Sequence, residues 1–186
     1  MEKQARVGMV IGSIVGVVFG LVFIEVNSGE LPDPWSLVVR VLGAVVAAVL
    51  LLGIVWVARN GQVGGEVPSG GFAGRRYWNI VGFEGLALFG GLVLINGMIG
   101  RSEYAVPWIA LVVGVHFIVL GTAWRIGLYR SLGVVQTILG LAGFVLAATG
   151  ATLATIQIVA GVLSGVALYT TVAIALLRSR PVHVPT

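Results

Sequence analysis

Six long apolar segments constrain this chain more than any other feature of its sequence. A helix needs about 20 mostly apolar residues to cross the hydrocarbon core of a bilayer. Blocks of this kind span residues 7–26, 37–57, 77–99, 106–124, 131–149 and 151–177. Little more than Gly150 separates the last two, which predicts a tight helical hairpin. Because little chain remains outside these blocks, we predict a single integral membrane domain over residues 1–186.

The composition indicates the same class of protein. The chain of 186 residues is 58% hydrophobic and 10% charged, with a mean hydropathy of +1.07, whereas soluble domains carry about 25% charged residues. Backbone polar groups in lipid must be satisfied by helices or by closed barrels. Barrel strands alternate apolar and polar residues, and these apolar runs are continuous. We therefore predict an all-α polytopic membrane protein with six transmembrane helices arranged as three hairpins.

The basic residues predict the orientation of the chain. In a six-span arrangement only Arg40 and Arg101 lie on one side, and the other side carries Lys3, Arg6, Arg59, Arg75, Arg76, Arg125, Arg130, Arg178 and Arg180. Short basic loops stay in the cytoplasm, so we expect both termini there, in a bacterial inner (plasma) membrane. The same bias accounts for the pI of 10.1 and predicts contact with anionic lipids on the cytoplasmic side. It does not predict nucleic-acid binding, because the basic residues are dispersed and not interleaved with aromatic residues.

The remaining motifs exclude several kinds of chemistry. The longest loop, residues 58–76, is rich in glycine but lacks the context of a phosphate-binding loop, so we predict a flexible cytoplasmic linker. The chain has no cysteine, which excludes disulfides, thiolate metal sites and cysteine nucleophiles. It has no HExxH, GxSxG or carboxylate cluster, and a membrane b-type haem would need a second intramembrane histidine. We therefore expect no enzyme activity, no catalytic residue, no metal and no cofactor.

Small residues at helical spacing predict the faces on which the helices pack. Glycine lets two helix backbones approach closely, and the glycines at such spacing are Gly8, Gly12, Gly16, Gly20, Gly140, Gly143 and Gly161. Gln136 shares the glycine face of the fifth span, and Gln157 and Ser164 share that of the sixth. One interpretation is helix packing with interhelical hydrogen bonds. The other is a polar pathway between helices, in which these three polar residues bind or relay a solute.

Two ionisable residues lie inside the predicted spans. Glu84 lies about two turns into the third span, on a face shared with Ala87 and Gly91, and His116 lies near the middle of the fourth span. At about 1.5 Å per residue, their depths in antiparallel helices are similar. Polar groups at such depth face the bundle interior and have a partner, so we predict that His116 is buried against Glu84. Three interpretations stay open: a structural pin, a proton or ion relay, and a ligand-binding site. Asn79 is a further binding candidate, with helix end-capping or interhelical hydrogen bonding as its alternatives.

The segment that contains both residues resembles a known group of proteins. Residues 76–125 are similar to a family of uncharacterised bacterial, often actinobacterial, multi-pass membrane proteins with a VGxHFxPLA motif preceded by a helix with a buried glutamate. Here residues 113–121 read VGVHFIVLG, so the first half of the motif matches and Pro-Leu-Ala is replaced. The hairpins are more distantly similar to HdeD-like acid-resistance membrane proteins. The resemblance implies a multi-pass fold and no particular activity.

Two functional hypotheses follow from these features. In the first, the helix bundle binds or conducts a small solute or a proton. In the second, the protein is a structural or assembly subunit that acts through its glycine-rich faces in a homo-oligomer or on a membrane partner protein. A water-accessible polar cavity that reaches His116 would favour the first hypothesis. A dry bundle with an exposed groove of small residues would favour the second.

Overall fold

Six helices, each long and apolar enough to span a membrane, make up most of the chain that the structure describes. The computed structural model describes residues 2–62 and 74–181. The helices are α1 (Glu2–Asn27), α2 (Trp35–Asn60), α3 (Arg75–Val93), α4 (Ala105–Ala123), α5 (Gly127–Ala148) and α6 (Leu153–Arg178). α3 continues as a π-helical segment over Leu94–Ile99, and α6 contains a π-helical segment at Gln157–Val162. These elements confirm the predicted all-α class with six spanning helices.

The helix boundaries differ from the predicted ones mainly at the end of the bundle where α1 begins and α6 ends, which we call the terminal side. α2 continues to Asn60 and α3 begins at Arg75, so the predicted linker of residues 58–76 is shorter than expected. Its central part, residues 63–73, lies outside the described residues. α5 begins at Gly127 rather than at residue 131. Two-residue strands, β1 (Gly61–Gln62) and β2 (Arg180–Pro181), pair antiparallel and connect the ends of α2 and α6.

Glycine and threonine form the turn of the predicted α5–α6 hairpin. Gly150 has a φ of +77°, a left-handed conformation that side chains rarely adopt. Thr152 then caps α6, because its hydroxyl accepts a hydrogen bond from the Thr155 amide. The turn between α4 and α5 also contains a left-handed residue, Arg125, with a φ of 58°. These local conformations place successive helices side by side, and each of the three predicted hairpins is formed by helices in contact.

Helices α1, α2 and α6 pack around one apolar core. Its buried residues are Val17, Ile24, Ala47, Leu50, Ile54, Tyr169 and Val172. Gly16 and Gly20 of α1 lie against Val172 and the Tyr169 ring of α6. The Tyr169 hydroxyl donates a hydrogen bond of 3.1 Å to the Gly43 carbonyl of α2. The glycine face of α1 therefore receives large side chains of α6, as close packing of membrane helices requires.

The closest helix pair is α4 with α5, where backbone contacts backbone. A Cβ atom at Gly133 would lie 2.5 Å from the Ile118 amide nitrogen, and one at Gly114 would lie 2.5 Å from the Thr137 amide nitrogen. Gly140 lies equally close to Leu111. Only glycine fits at such positions. The sequence interpretation included Gly140 but omitted Gly114 and Gly133. Gly114 precedes Gly121 by seven residues, and Gly133 precedes Gly140 by seven residues, which is the spacing expected on one face of a helix.

Helix α3 is peripheral and packs mainly on α4. Its outer face is apolar and strongly exposed, with Phe83, Leu86 and Phe89 each more than 70% accessible. Such a surface suits contact with lipid chains in a helix that spans a membrane. The opposite face of α3 carries Glu84, and its contact with α4 decides where that carboxylate lies.

Candidate functional site

A small-residue face of α3 brings this helix close to α4. The Trp108 indole of α4 lies directly against Gly91, where any side chain would overlap it. Its Nε1–H donates a hydrogen bond of 3.1 Å to the Ala87 carbonyl. Glu84 is on the same face, one turn before Ala87, as the spacing predicted. This close approach leaves room for a short polar contact between the two helices.

Glu84 contacts His116 across the α3–α4 interface. The Glu84 Oε2 and His116 Nδ1 atoms are 3.0 Å apart, and the two side chains are 19% and 10% exposed. Nδ1 lacks an aligned hydrogen-bond partner, so the contact is a close polar approach rather than a well-directed hydrogen bond. The predicted contact is confirmed. Each of the two polar groups therefore has a polar neighbour within the low-dielectric part of the bundle.

A large cavity begins beside His116 and extends to the terminal side. Its volume is about 1130 Å³, and α1, α4, α5 and α6 contribute most of its wall. Among the α4 residues that line the cavity, His116 is the farthest from the terminal side and Trp124 is the nearest to it. The wall is mainly apolar, with Ser13, Tyr129 and Thr171 among its polar residues. All but Val15 and Gly16 of the lining residues on helices belong to the half of their helix that is nearer the terminal side, so the cavity lies mainly in that half of the bundle.

The other predicted polar candidates lie away from this cavity. Gln136 and Ser164 are completely buried, and Gln136 Nε2 donates a hydrogen bond of 3.3 Å to the Ser164 carbonyl, which joins α5 to α6. Gln157 is the first residue of the π-helical segment of α6. Asn79 is exposed on α3. The structure therefore brings Gln136 and Ser164 together in an interhelical contact and does not place them, Gln157 or Asn79 in the wall of the cavity.

Three buried side-chain oxygens lack a hydrogen-bond partner among the described residues. They are Asn27 Oδ1, Gln136 Oε1 and Gln157 Oε1. Asn27 was not predicted as a polar candidate, yet it lies against Gly161 of the same π-helical segment, and its amide donates to the Phe23 carbonyl. There was no reason in the sequence to select Asn27, because an asparagine at the end of a span normally reaches the membrane–water interface.

Sequence reasoning also missed three residues of the cavity wall. Tyr129 reaches from α5 toward α1, where a Cβ at Gly12 would be 2.8 Å from its hydroxyl. Arg130 of α5 and Arg178 of α6 line the same cavity. Both arginines were interpreted only as determinants of orientation. A pattern of one-sided charge does not distinguish an arginine that borders a cavity from one that faces lipid headgroups, so no sequence signal was available.

No protein-family model, curated protein or solved structure matches the chain. The resemblance to the VGxHFxPLA family therefore stays a prediction. Within residues 2–62 and 74–181, no group of three or more His, Asp or Glu side chains is suited to hold a metal ion.

Proposed function

We propose that this is a bacterial inner-membrane protein, with both termini in the cytoplasm, that binds a small solute in the cavity beside His116. One observation carries the proposal: His116 contacts Glu84 and also lines a cavity of about 1130 Å³. Small-molecule sites are concave and mostly apolar, with a few polar groups that orient the ligand. A histidine held by a glutamate at the inner end of such a cavity fits this description.

The shape of the cavity favours binding over conduction. A pathway for a solute or proton has to continue across the whole bundle, whereas the wall of this cavity ends near the depth of His116 and Leu168. The completely buried polar residues farther along, Gln136 and Ser164, are hydrogen-bonded to each other. We therefore expect proteoliposomes that contain the protein to show no proton flux above that of empty liposomes. Flux that is abolished by His116→Leu would instead support the relay interpretation.

The packing of the glycine faces within the bundle gives little support to the assembly hypothesis. Among the glycines on which it was based, Gly16, Gly20, Gly140, Gly143 and Gly161 all lie against side chains or backbone of this same chain. Helix faces that are filled internally are not available to a second subunit. Apart from Gly127 at the start of α5, the described helical glycines with open space around them are on α3 and its π-helical continuation, namely Gly82, Gly85, Gly90 and Gly97.

Filling the cavity tests solute binding. Ala175 of α6 lines the cavity, whereas Leu177 on the same helix is 85% exposed. Native mass spectrometry of protein extracted in mild detergent should show an additional non-covalent mass in the wild type and in Leu177→Trp. The same mass should be lost from Ala175→Trp, because an indole occupies the space of the solute. If Ala175→Trp retains the full amount of every bound molecule, the proposed binding site is wrong.

A further inference from the structure

The cavity carries positive charge at its mouth. Arg130 near the start of α5 and Arg178 at the end of α6 both line it, and its described lining residues include no aspartate or glutamate. Neither arginine forms an ion pair with a described residue. Two guanidinium groups from different helices thus border one opening, and no carboxylate of the described residues pairs with them.

The inner part of the cavity is apolar and long. Leu120, Leu132, Val135, Leu168 and Val172 contribute to its wall. From Ser179 at the mouth to Leu168 at the inner end, α6 rises by about 16 Å at 1.5 Å per residue. A compact polar solute would leave most of this wall without a partner, whereas an extended hydrocarbon chain would cover it and gain the free energy of apolar burial.

The orientation of the protein does not by itself explain why Arg130 and Arg178 line the cavity. Short basic loops require arginines on the cytoplasmic side, and Arg59 and Arg125 meet that requirement as exposed residues outside the cavity wall. Arg130 and Arg178 meet it too, but they also border an apolar cavity. Arginine binds phosphate and carboxylate groups through paired N–H donors, so these two side chains are suited to hold an anionic headgroup at the mouth.

We infer that the ligand is an anionic amphiphile, with its hydrocarbon chain in the cavity and its phosphate or carboxylate head at Arg130 and Arg178. This inference rests on the proposed function and specifies its ligand class. The chain extends toward His116 along α5 and α6. Either a bilayer lipid or a free single-chain amphiphile has this chemistry, and the experiment below separates the two sources.

The test measures equilibrium binding of radiolabelled decyl phosphate to the protein in phosphatidylcholine nanodiscs, with binding to empty nanodiscs subtracted. The double variant Arg130→Gln/Arg178→Gln should weaken binding by about tenfold or more, because it removes the charge-assisted hydrogen bonds to the head. The matched control Arg59→Gln/Arg125→Gln makes the same change in net charge on the same side. It should alter the affinity by less than about twofold, since the general surface potential is weak and screened.

Competition on the wild-type protein keeps the inference testable even if the double variant is unstable. Unlabelled decyl phosphate should displace the probe, and inorganic phosphate and decyl phosphocholine should not. Displacement by inorganic phosphate at the same concentration would show that the ligand needs no hydrocarbon chain. Equal displacement by decyl phosphocholine would show that the ligand needs no net negative charge. Either result would overturn the inference. Stronger displacement by phosphatidate than by decyl phosphate assigns the site to a bilayer lipid, and the reverse order assigns it to a free amphiphile.

The two proposals fail in different ways. If the native mass spectra show a bound molecule that Ala175→Trp removes, but decyl phosphate binds equally to both double variants, the binding function stands and the anionic ligand class is wrong. If Ala175→Trp changes neither the native mass spectra nor decyl phosphate binding, the cavity is not a binding site.

Discussion

Glu84 and His116 show how a single polar contact can be predicted in a membrane protein. Their depths followed from helix rise, and the face of Glu84 followed from its spacing to Ala87 and Gly91. The structure places the two side chains 3.0 Å apart at the Nδ1 and Oε2 atoms. Removing either partner leaves a polar group unpaired in a low-dielectric interior, which is costlier than replacing both by apolar residues.

A double-mutant cycle tests whether this pair acts as one unit. Glu84→Leu and His116→Leu should each lower the free energy of unfolding by about 1–3 kcal/mol, and the double variant should lose less than their sum. The measurement is thermal stability in one detergent. Thr122→Val is the control, because it removes an exposed hydrogen bond to the Ile118 carbonyl of its own helix and should cost little. Strictly additive effects would show that the two residues are not coupled.

Gln136 allows a second prediction at the scale of one residue. It is completely buried, forms one hydrogen bond to the Ser164 carbonyl and leaves its Oε1 without a partner. Gln136→Met preserves the volume and removes the unpaired oxygen, so the stability should change by less than about 1 kcal/mol. Gln136→Ala should cost about 2–4 kcal/mol because it opens a cavity. A large loss in Gln136→Met, measured by thermal unfolding, would mean that the amide has a partner and a role beyond packing.

At the scale of helices, glycine decides which pairs come into backbone contact. In α4 and α5, Gly114, Gly133 and Gly140 face the neighbouring backbone, whereas Gly90 of α3 has no atom within 4 Å of an added Cβ. The same residue type therefore has opposite consequences in different helices. Composition cannot distinguish these cases, because both kinds of glycine lie within apolar helical segments.

The comparison of Gly133→Ala with Gly90→Ala tests this difference. Gly133→Ala should lower the free energy of unfolding by about 1–3 kcal/mol, because its methyl group would press on the Ile118 amide and the Gly114 carbonyl. Gly90→Ala should be neutral or stabilising by up to about 1 kcal/mol, owing to the higher helix propensity of alanine. Thermal unfolding of both variants in the same detergent provides the measurement. Equal stability of the two variants would contradict the close α4–α5 approach.

For the whole molecule, the orientation in the membrane is the main untested prediction. Cysteines at Glu30 and Ser102, both exposed between helices on the side opposite the termini, should react with an impermeant thiol reagent added to intact cells. Cysteines at Asn60 and Gly127, exposed on the terminal side, should react only after the cells are permeabilised. Ser28 is unsuitable for this purpose because it is completely buried and hydrogen-bonded to the Ile24 carbonyl. Labelling at Asn60 in intact cells would reverse the proposed orientation.

The sequence alone determined the helical class, the number of spans, the hairpin turn at Gly150 and the pairing of Glu84 with His116. Each of these depends on local chain properties: the length of an apolar run, the conformational freedom of glycine, or the rise of a helix in neighbouring segments. Only the tertiary structure decided that α6 packs against α1, that α3 is peripheral, and that Arg130 and Arg178 border one cavity. Apolar helices have similar affinity for lipid and for one another, so hydrophobicity does not select their partners. Side-chain shape and backbone contact make that selection, and they are defined only when all six helices are packed together.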